Sequence, residues 1–197
     1  MDFDLTGKLL ISTPAMGDPR FAHSVILLCA HSVEGAFGLV VNRPIPQLTL
    51  GDVLAQLDIA PGKGRADHPV LAGGPVETAR GFVLHDDQGP VAKGDGNQGD
   101  GAEASQNLPG GMVLTASTGI LNAIAHGQGP RQWLLALGYA GWGPGQLEDE
   151  IGQNAWLTCD ASADLVFAAA PGEGQWRAAL QSIGVDPLSL SAVAGRA

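Results

Sequence analysis

Cys29 and His31 stand two residues apart in the apolar run Val25 to His31, and a thiol beside an imidazole can lose its proton to become a thiolate nucleophile. In a strand, residues i and i+2 share a face. A rise of about 3.3 Å per residue separates their Cα atoms by roughly 6.6 Å, so contact requires both side chains to lean together. If Ser32-Val33-Glu34-Gly35 is the connecting turn, Cys29 falls opposite Gly38 and His31 opposite Ala36, small partners that leave space above the pair. That space reads either as the pocket of a thiol-dependent enzyme or as room for another core layer. Free cysteine is among the most buried residue types, which favours the core.

The ends of the same hairpin carry polar groups suited to binding. Asn42-Arg43-Pro44 closes its second strand with an amide and a planar guanidinium, a natural contact for a carboxylate or another anion. Asp18-Pro19-Arg20 precedes its first strand, and Asp18 either holds its own turn or pairs with Arg43 across the loops. Asp18, Arg20, Asn42 and Arg43, with Cys29 and His31 between them, form the candidate binding surface.

Other groups carry less. Gly73-Gly74-Pro75 permits close backbone approach, but its proline removes one donor from any anion nest. Ser117 lacks the Gly-x-Ser-x-Gly elbow of a hydrolase and suits a helix cap. Asp95-Gly96-Asn97-Gln98-Gly99-Asp100 resembles a calcium loop superficially, yet Gln106 stands where the closing glutamate belongs. The histidines lack metal-site spacing, so neither a metal nor another cofactor is expected. Trp133, Trp142, Trp156 and Trp176 read as core anchors.

The elements that must position these groups follow from periodicity. Strands are expected at Lys8 to Ser12, Ser24 to His31, Phe37 to Asn42, Val70 to Ala72 and Gly81 to His85, with the second and third paired as a hairpin. Further strands are expected at Met112 to Ala116, Gln132 to Leu137, Ala155 to Cys159 and Leu165 to Ala168. Thr49 with Asp52 suits a capping box before Leu50, Val53, Leu54 and Leu57, one helical stripe. Helices are also expected over Gly119 to His126, after Gly143, and around Trp176, Ala179, Leu180 and Ile183 up to Gly184. The sum is an α/β chain with α+β character: one compact domain over 1–197, with a mixed, largely antiparallel sheet of about eight or nine strands under about four helices. Asp86 to Gly111, rich in glycine and acids, reads as a flexible loop.

Composition bounds the partners. At 197 residues, 45% apolar and 15% charged, the chain can bury a core without disulfides, and its two cysteines show no paired spacing. Ten Lys and Arg against 20 Asp and Glu leave a charge of -10, which repels a phosphate backbone and argues against direct nucleic-acid binding. The start is acidic where a secretory signal is basic, and Val25 to Ala30 is too short to span a bilayer, so a cytoplasmic protein with no membrane partner is expected.

Pro14-Ala15-Met16-Gly17-Asp18-Pro19-Arg20-Phe21, Ser24-Val25 through His31, Gly35-Ala36-Phe37-Gly38 and Asn42-Arg43-Pro44 resemble the opening of the YqgE/AlgH family of bacterial proteins. Gly73-Gly74-Pro75-Val76 and Arg80-Gly81-Phe82-Val83-Leu84-His85 resemble its middle block. Leu137 to Trp142, Gly145 to Glu148, Glu150-Ile151, Asn154 to Leu157 and Gly195-Arg196-Ala197 resemble its later ones. Gly119 and Arg196 depart from the Asp and His common there. The resemblance implies a compact mixed α/β fold and a cytoplasmic protein; it implies no activity, although the AlgH branch carries a transcription-regulator label. The leading expectation is a non-enzymatic binding or regulatory module for a small ligand or protein partner. The alternatives are a thiol enzyme using Cys29 and His31, and a transcriptional regulator that acts through a protein partner.

Overall fold

A computed structural model describes residues 4–62, 66–88, 105–168 and 170–186. Its strands are β1 (Lys8–Ser12), β2 (Val25–Ser32), β3 (Gly35–Val40), β4 (Pro44–Thr49), β5 (Pro69–Ala72), β6 (Val76–Asp86), β7 (Ser105–Leu108), β8 (Met112–Thr115), β9 (Trp133–Trp142) and β10 (Trp156–Asp160). The helices are α1 (Leu50–Gln56), α2 (Thr118–Ala125), α3 (Gln146–Gly152), α4 (Ala163–Val166) and α5 (Glu173–Ser182). The sheet runs β10-β1-β2-β3-β9-β6-β8-β7, with β4 paired to β5 and β5 to β9. Among the described residues only β5 and β9 run parallel, so the expected mixed and largely antiparallel sheet is what forms.

β9 organises the sheet because it serves three partners. One edge pairs with β6, while the other pairs first with β5 through Leu135, Ala136 and Leu137 and then with β3 through Ala140, Gly141 and Trp142. The change of partner falls at Gly138, whose φ of +72° suits glycine. A Cβ there would lie 2.5 Å from the Gly74 carbonyl oxygen, and one on Gly73 or Gly74 would run into the β9 backbone. Gly73-Gly74-Pro75 is therefore a backbone crossing and holds no anion nest: Gly73 donates to Leu137 O at 2.7 Å and accepts from Val40 N at 2.8 Å.

Alternation along the strands sends residues to two faces. Leu9, Ile11, Val25, Leu27, Leu39, Phe82, Leu84, Leu134 and Ala136 build the first face, closed by Val166 of α4 and by Trp176, Ala179 and Leu180 of α5. Trp176 adds a buried hydrogen bond from its indole to Ser12 O at 2.8 Å. On the second face Leu10, Ile26, Leu28 and Val40 meet Leu147 of α3, while Val70, Val83 and Leu135 meet α1 and α2.

Local signals explain most elements. Thr49 and Asp52 form the expected capping box, with Thr49 N donating to Asp52 Oδ2 at 2.8 Å and Asp52 N to Thr49 Oγ1 at 3.4 Å. Only Leu50 and Leu54 of the expected stripe are buried; Leu57, one residue past α1, is exposed because the helix stops before its face can close. Ser117 holds the N-cap position of α2, yet its hydroxyl makes no capping bond. Leu165 to Ala168, expected as a strand, instead enters α4, because Ser162 caps Leu165 N at 3.3 Å and Asp164 favours the helix start.

The described residues form ten strands and five helices, against the about eight or nine and about four expected. β4 escaped notice because Pro44 and Pro46 mask it; it pairs only near its ends, Pro44 with Leu71 and Thr49 with Pro69. β7 is a polar edge strand without alternation, so the supposed loop Asp86 to Gly111 is ordered at both ends, in β6 and in β7. The rest of that loop, including Asp95 to Asp100, lies outside the described residues.

Gly138→Ala is expected to destabilise the protein by about 2–4 kcal/mol, combining left-handed backbone strain with overpacking. Urea denaturation checks this. A midpoint unchanged from the parent would mean the crossing does not depend on glycine.

Candidate functional site

The pairing of β2 with β3 changes the first candidate. Leu28 pairs with Gly38 and Ala30 with Phe37, so Cys29 is an extra, bulged residue and does not face Gly38 as the sequence suggested. His31 does face Ala36. The extra residue inverts the alternation: Cys29 lies in the first-face core, whereas His31 turns to the second face, where Nδ1 accepts from Leu5 N at 3.2 Å and Nε2 meets Glu148 Oε1 at 2.8 Å. The thiol and imidazole thus sit on opposite sides of the sheet and form no dyad. Burial pushes the Cys29 thiol up to about 12, far from a reactive thiolate. Glu148 is held below the usual carboxylate range by its own backbone amide and by the His31 ring.

The polar loop residues form a clamp. Asn42 is buried; its Oδ1 accepts from Val25 N at 2.9 Å and its Nδ2 donates to His23 O at 2.9 Å and Gly172 O at 3.1 Å. Arg43 donates to the carbonyls of Arg20 and Ala22, the latter at 2.8 Å. Both amide donors of Asn42 and both terminal nitrogens of Arg43 thus bond backbone carbonyls, which ties the two loops together. Asp18 pairs with Arg20 and not with Arg43: Arg20 Nε reaches both carboxylate oxygens at 3.1 Å, Nη2 reaches Oδ2 at 2.7 Å, and Arg20 N donates to Oδ1 at 2.9 Å. These bonds from Arg20 hold the Asp18 carboxyl below its ordinary range, so the lock is complete above that range and opens only as pH falls through the lowered value.

The outer side of the first loop borders a cleft of about 370 Å³ on the second face. Met16, Asp18, Arg20 and Phe21 form one wall; Trp142, Gln146, Glu150 and Trp156 form the other. Residues four apart lie on one helical face, so α3 stacks Gln146 beneath Glu150, and Gln146 Nε2 donates to Glu150 Oε1 at 2.9 Å. Glu150 Oε2 accepts from the indoles of Trp142 at 2.9 Å and Trp156 at 2.7 Å. The rings themselves meet edge to face, 6.1 Å apart, and Phe21 packs against Trp156 at 5.7 Å. Trp142 and Trp156 are core anchors as expected, but their N–H groups converge on one carboxylate. That convergence was not read from the sequence; the signal present was Trp142, Gln146, Glu150 and Trp156 flanking one short helix.

Every residue lining this cleft falls within the segments that resemble the YqgE/AlgH family, from Met16 through Pro75 and Val76 to Trp156. Among the described residues no group of three or more His, Cys, Asp and Glu is placed to hold a metal ion. No helix of the described residues is long and apolar enough to cross a membrane.

Comparison with known proteins places the fold and the sequence in one family. The sequence profile of a family described as AlgH-like matches residues 9–188. A UPF0301 protein of Paracoccus denitrificans is 50% identical over 194 residues, covering 98% of this chain and 97% of that one. A second UPF0301 protein, from Ruegeria pomeroyi, is 50% identical over 195 residues, covering 98% and 100%. The solution structure of the AlgH protein from Pseudomonas aeruginosa superposes with a TM-score of 0.74 at 41% identity, covering 99% of this chain and 97% of that one. A crystal structure from Corynebacterium diphtheriae shares the fold, with a TM-score of 0.70 at 22% identity over 94% and 91%.

Two outcomes follow. Iodoacetamide at neutral pH is expected to leave Cys29 unmodified in the native protein and to label it in urea; mass spectrometry reads the site, and rapid native labelling would contradict the burial. Glu150→Ala is expected to cost about 2 kcal/mol or more by leaving two indole donors unpaired, and to displace both indole N–H resonances.

Proposed function

The chain belongs to the AlgH-like family, and from that membership and the cleft at Glu150 we propose that it is a non-enzymatic binding module whose ligand, a small molecule or a short segment of a partner protein, enters between the Pro14–Phe21 loop and α3. One observation carries this reading: beside its apolar side chains the cleft presents the Asp18–Arg20 pair, the Gln146 amide and the Glu150 carboxylate, with no Cys, Ser, Thr, His, Lys or Tyr among the described lining residues. Covalent catalysis requires a free nucleophile, and the two carboxylates are engaged, Asp18 by Arg20 and Glu150 by Trp142, Trp156 and Gln146.

The Asp18 carboxylate is poorly suited to proton transfer. Asp18 is held ionised by Arg20, and Glu150 is fixed by donors from Trp142, Trp156 and Gln146. A general acid or base needs a titrating group free to give or take a proton. What the geometry offers instead is a preorganised acceptor beside the half-buried side chains of Met16 and Phe21 and the exposed Pro75 and Val76. Such a wall suits a ligand with an amine, guanidine or amide donor and an apolar body. The net charge of -10 favours a cationic group and opposes direct contact with nucleic acid. A regulatory role would then be exerted through a bound ligand or protein, in the cytoplasm.

The test is a set of amine- and guanidine-bearing fragments followed by the Trp142 and Trp156 indole N–H resonances. Fragments that bind are expected to shift both signals and to bind about tenfold more weakly to Glu150→Gln. If the fragments that bind move neither indole, the cleft is not the binding site.

A further inference from the structure

On the opposite, first face a second cavity of about 420 Å³ opens, within the size range of small-ligand sites. Three aromatic side chains line it: Phe37, Phe82 and Tyr139, with ring centroids 4.9, 5.6 and 6.2 Å apart. Arg80 lays its guanidinium over Phe82, 5.1 Å from the ring centre.

Two departures from regular β structure assemble this cavity. Val76 pairs with Tyr139 but Gly81 pairs with Leu137, so five steps along β6 answer two along β9 and the segment between bulges outward. Glu77 in that bulge has φ of +45°, a conformation non-glycine residues seldom adopt, and such strain persists where the surroundings enforce it. The bulge carries Arg80, whose guanidinium makes one side-chain hydrogen bond among the described residues, Nη1 to Glu77 Oε2 at 3.1 Å, leaving most of the fork free. Opposite the bulge, Gly138 inverts the alternation of β9: Leu137 packs on the second face, whereas Tyr139 packs on the first and enters the cavity.

The remaining polar groups are directed by a buried chain. His85 Nδ1 lies 2.7 Å from Asp86 O, and a carbonyl only accepts, so Nδ1 carries the proton. Nε2 lies 3.0 Å from Thr115 Oγ1, which in turn lies 2.9 Å from Ser105 Oγ. Whichever hydroxyl donates, Ser105 Oγ keeps a lone pair for a donor from the cavity. Gln106 is committed, since its Nε2 donates to Cys29 O at 2.7 Å, leaving Oε1 as its free group. The cavity therefore combines aromatic walls, one guanidinium and hydrogen-bond acceptors.

We propose that this cavity binds a small planar aromatic anion that also carries an N–H or O–H donor. The ring lies against Phe37 and Tyr139, the anionic group pairs with Arg80, and the donor is read by Ser105 and Gln106. The anionic group is a carboxylate or a phosphate, since a guanidinium fork accepts either. This site is independent of the Glu150 cleft.

The test is a titration of the full chain, followed by NMR, with para-aminobenzoate and with adenosine monophosphate, each beside its uncharged counterpart, aniline or adenosine. Saturable shifts at Gln106 and Tyr139 by either anion support the proposal, and which anion binds tells carboxylate from phosphate. The same binding is expected to weaken about tenfold or more in Arg80→Gln, a surface substitution compatible with folding, and to persist in Glu150→Gln. The proposal is overturned if neither anion saturates below about 10 mM, if Arg80→Gln binds as the parent does, or if the uncharged counterparts bind equally well.

Discussion

The backbone crossing of Gly73 and Gly74 against Gly138 is the contact on which the rest of the molecule depends. Side chains are excluded there because the carbonyl and amide groups of two segments approach within bonding distance. Only with that approach can β9 leave β5 and join β3, linking what would otherwise be two separate sheets. The residues just beyond the crossing serve both cavities: Pro75, Val76 and Trp142 the cleft, Tyr139 and Arg80 the aromatic cavity.

Two interruptions of strand alternation then decide which side chains meet. The extra residue at Cys29 turns His31 away from the thiol, and the left-handed Gly138 turns Tyr139 onto the face opposite Leu137. Neither is a defect. The carbonyl freed by the bulge at Cys29 is satisfied by Gln106, so a break in one ladder becomes a tie between β2 and the edge strand β7. Stability and site geometry rest on the same groups: removing such a tie loosens a wall of the cavity as it weakens the sheet.

Multiply bonded polar groups play the same part. Buried Asn42 satisfies three backbone groups, on Val25 of β2 and on His23 and Gly172, and half-buried Glu150 gathers two indoles and an amide. Each is rigid once paired, which suits both to hold a shape. The exposed polar groups, Arg20 and Arg80, are left to face whatever enters.

Much of this was legible in the sequence because it rests on local physics. The capping box at Thr49 and Asp52, the inward faces of α2 and α5, the β2–β3 hairpin and the mixed sheet follow from side-chain type and spacing, and the ordered series of motifs pointed to the family. Where local signals conflicted, the stronger one won, as when Ser162 and Asp164 drew Leu165 into a helix. β4 and β7 were missed because prolines and polar residues hide strands that exist only by pairing with neighbours.

Site assignment needed the tertiary structure for a definite reason. Sequence alternation assigns faces on the assumption of an unbroken strand, and one bulged residue or one left-handed glycine reverses every assignment beyond it. Cys29 and His31 share a face by that rule and are separated by the sheet; Trp142 and Trp156 read only as core anchors, yet their indoles share the Glu150 carboxylate. The sequence by itself determined most of the elements, the family and the polar ends of the β2–β3 hairpin, the segment carrying Asp18 and Arg20 among them, as a place of interest. Only long-range pairing decided that Asn42 and Arg43 clamp that segment from behind while its outer side faces the cleft, because those contacts join residues that no local rule relates.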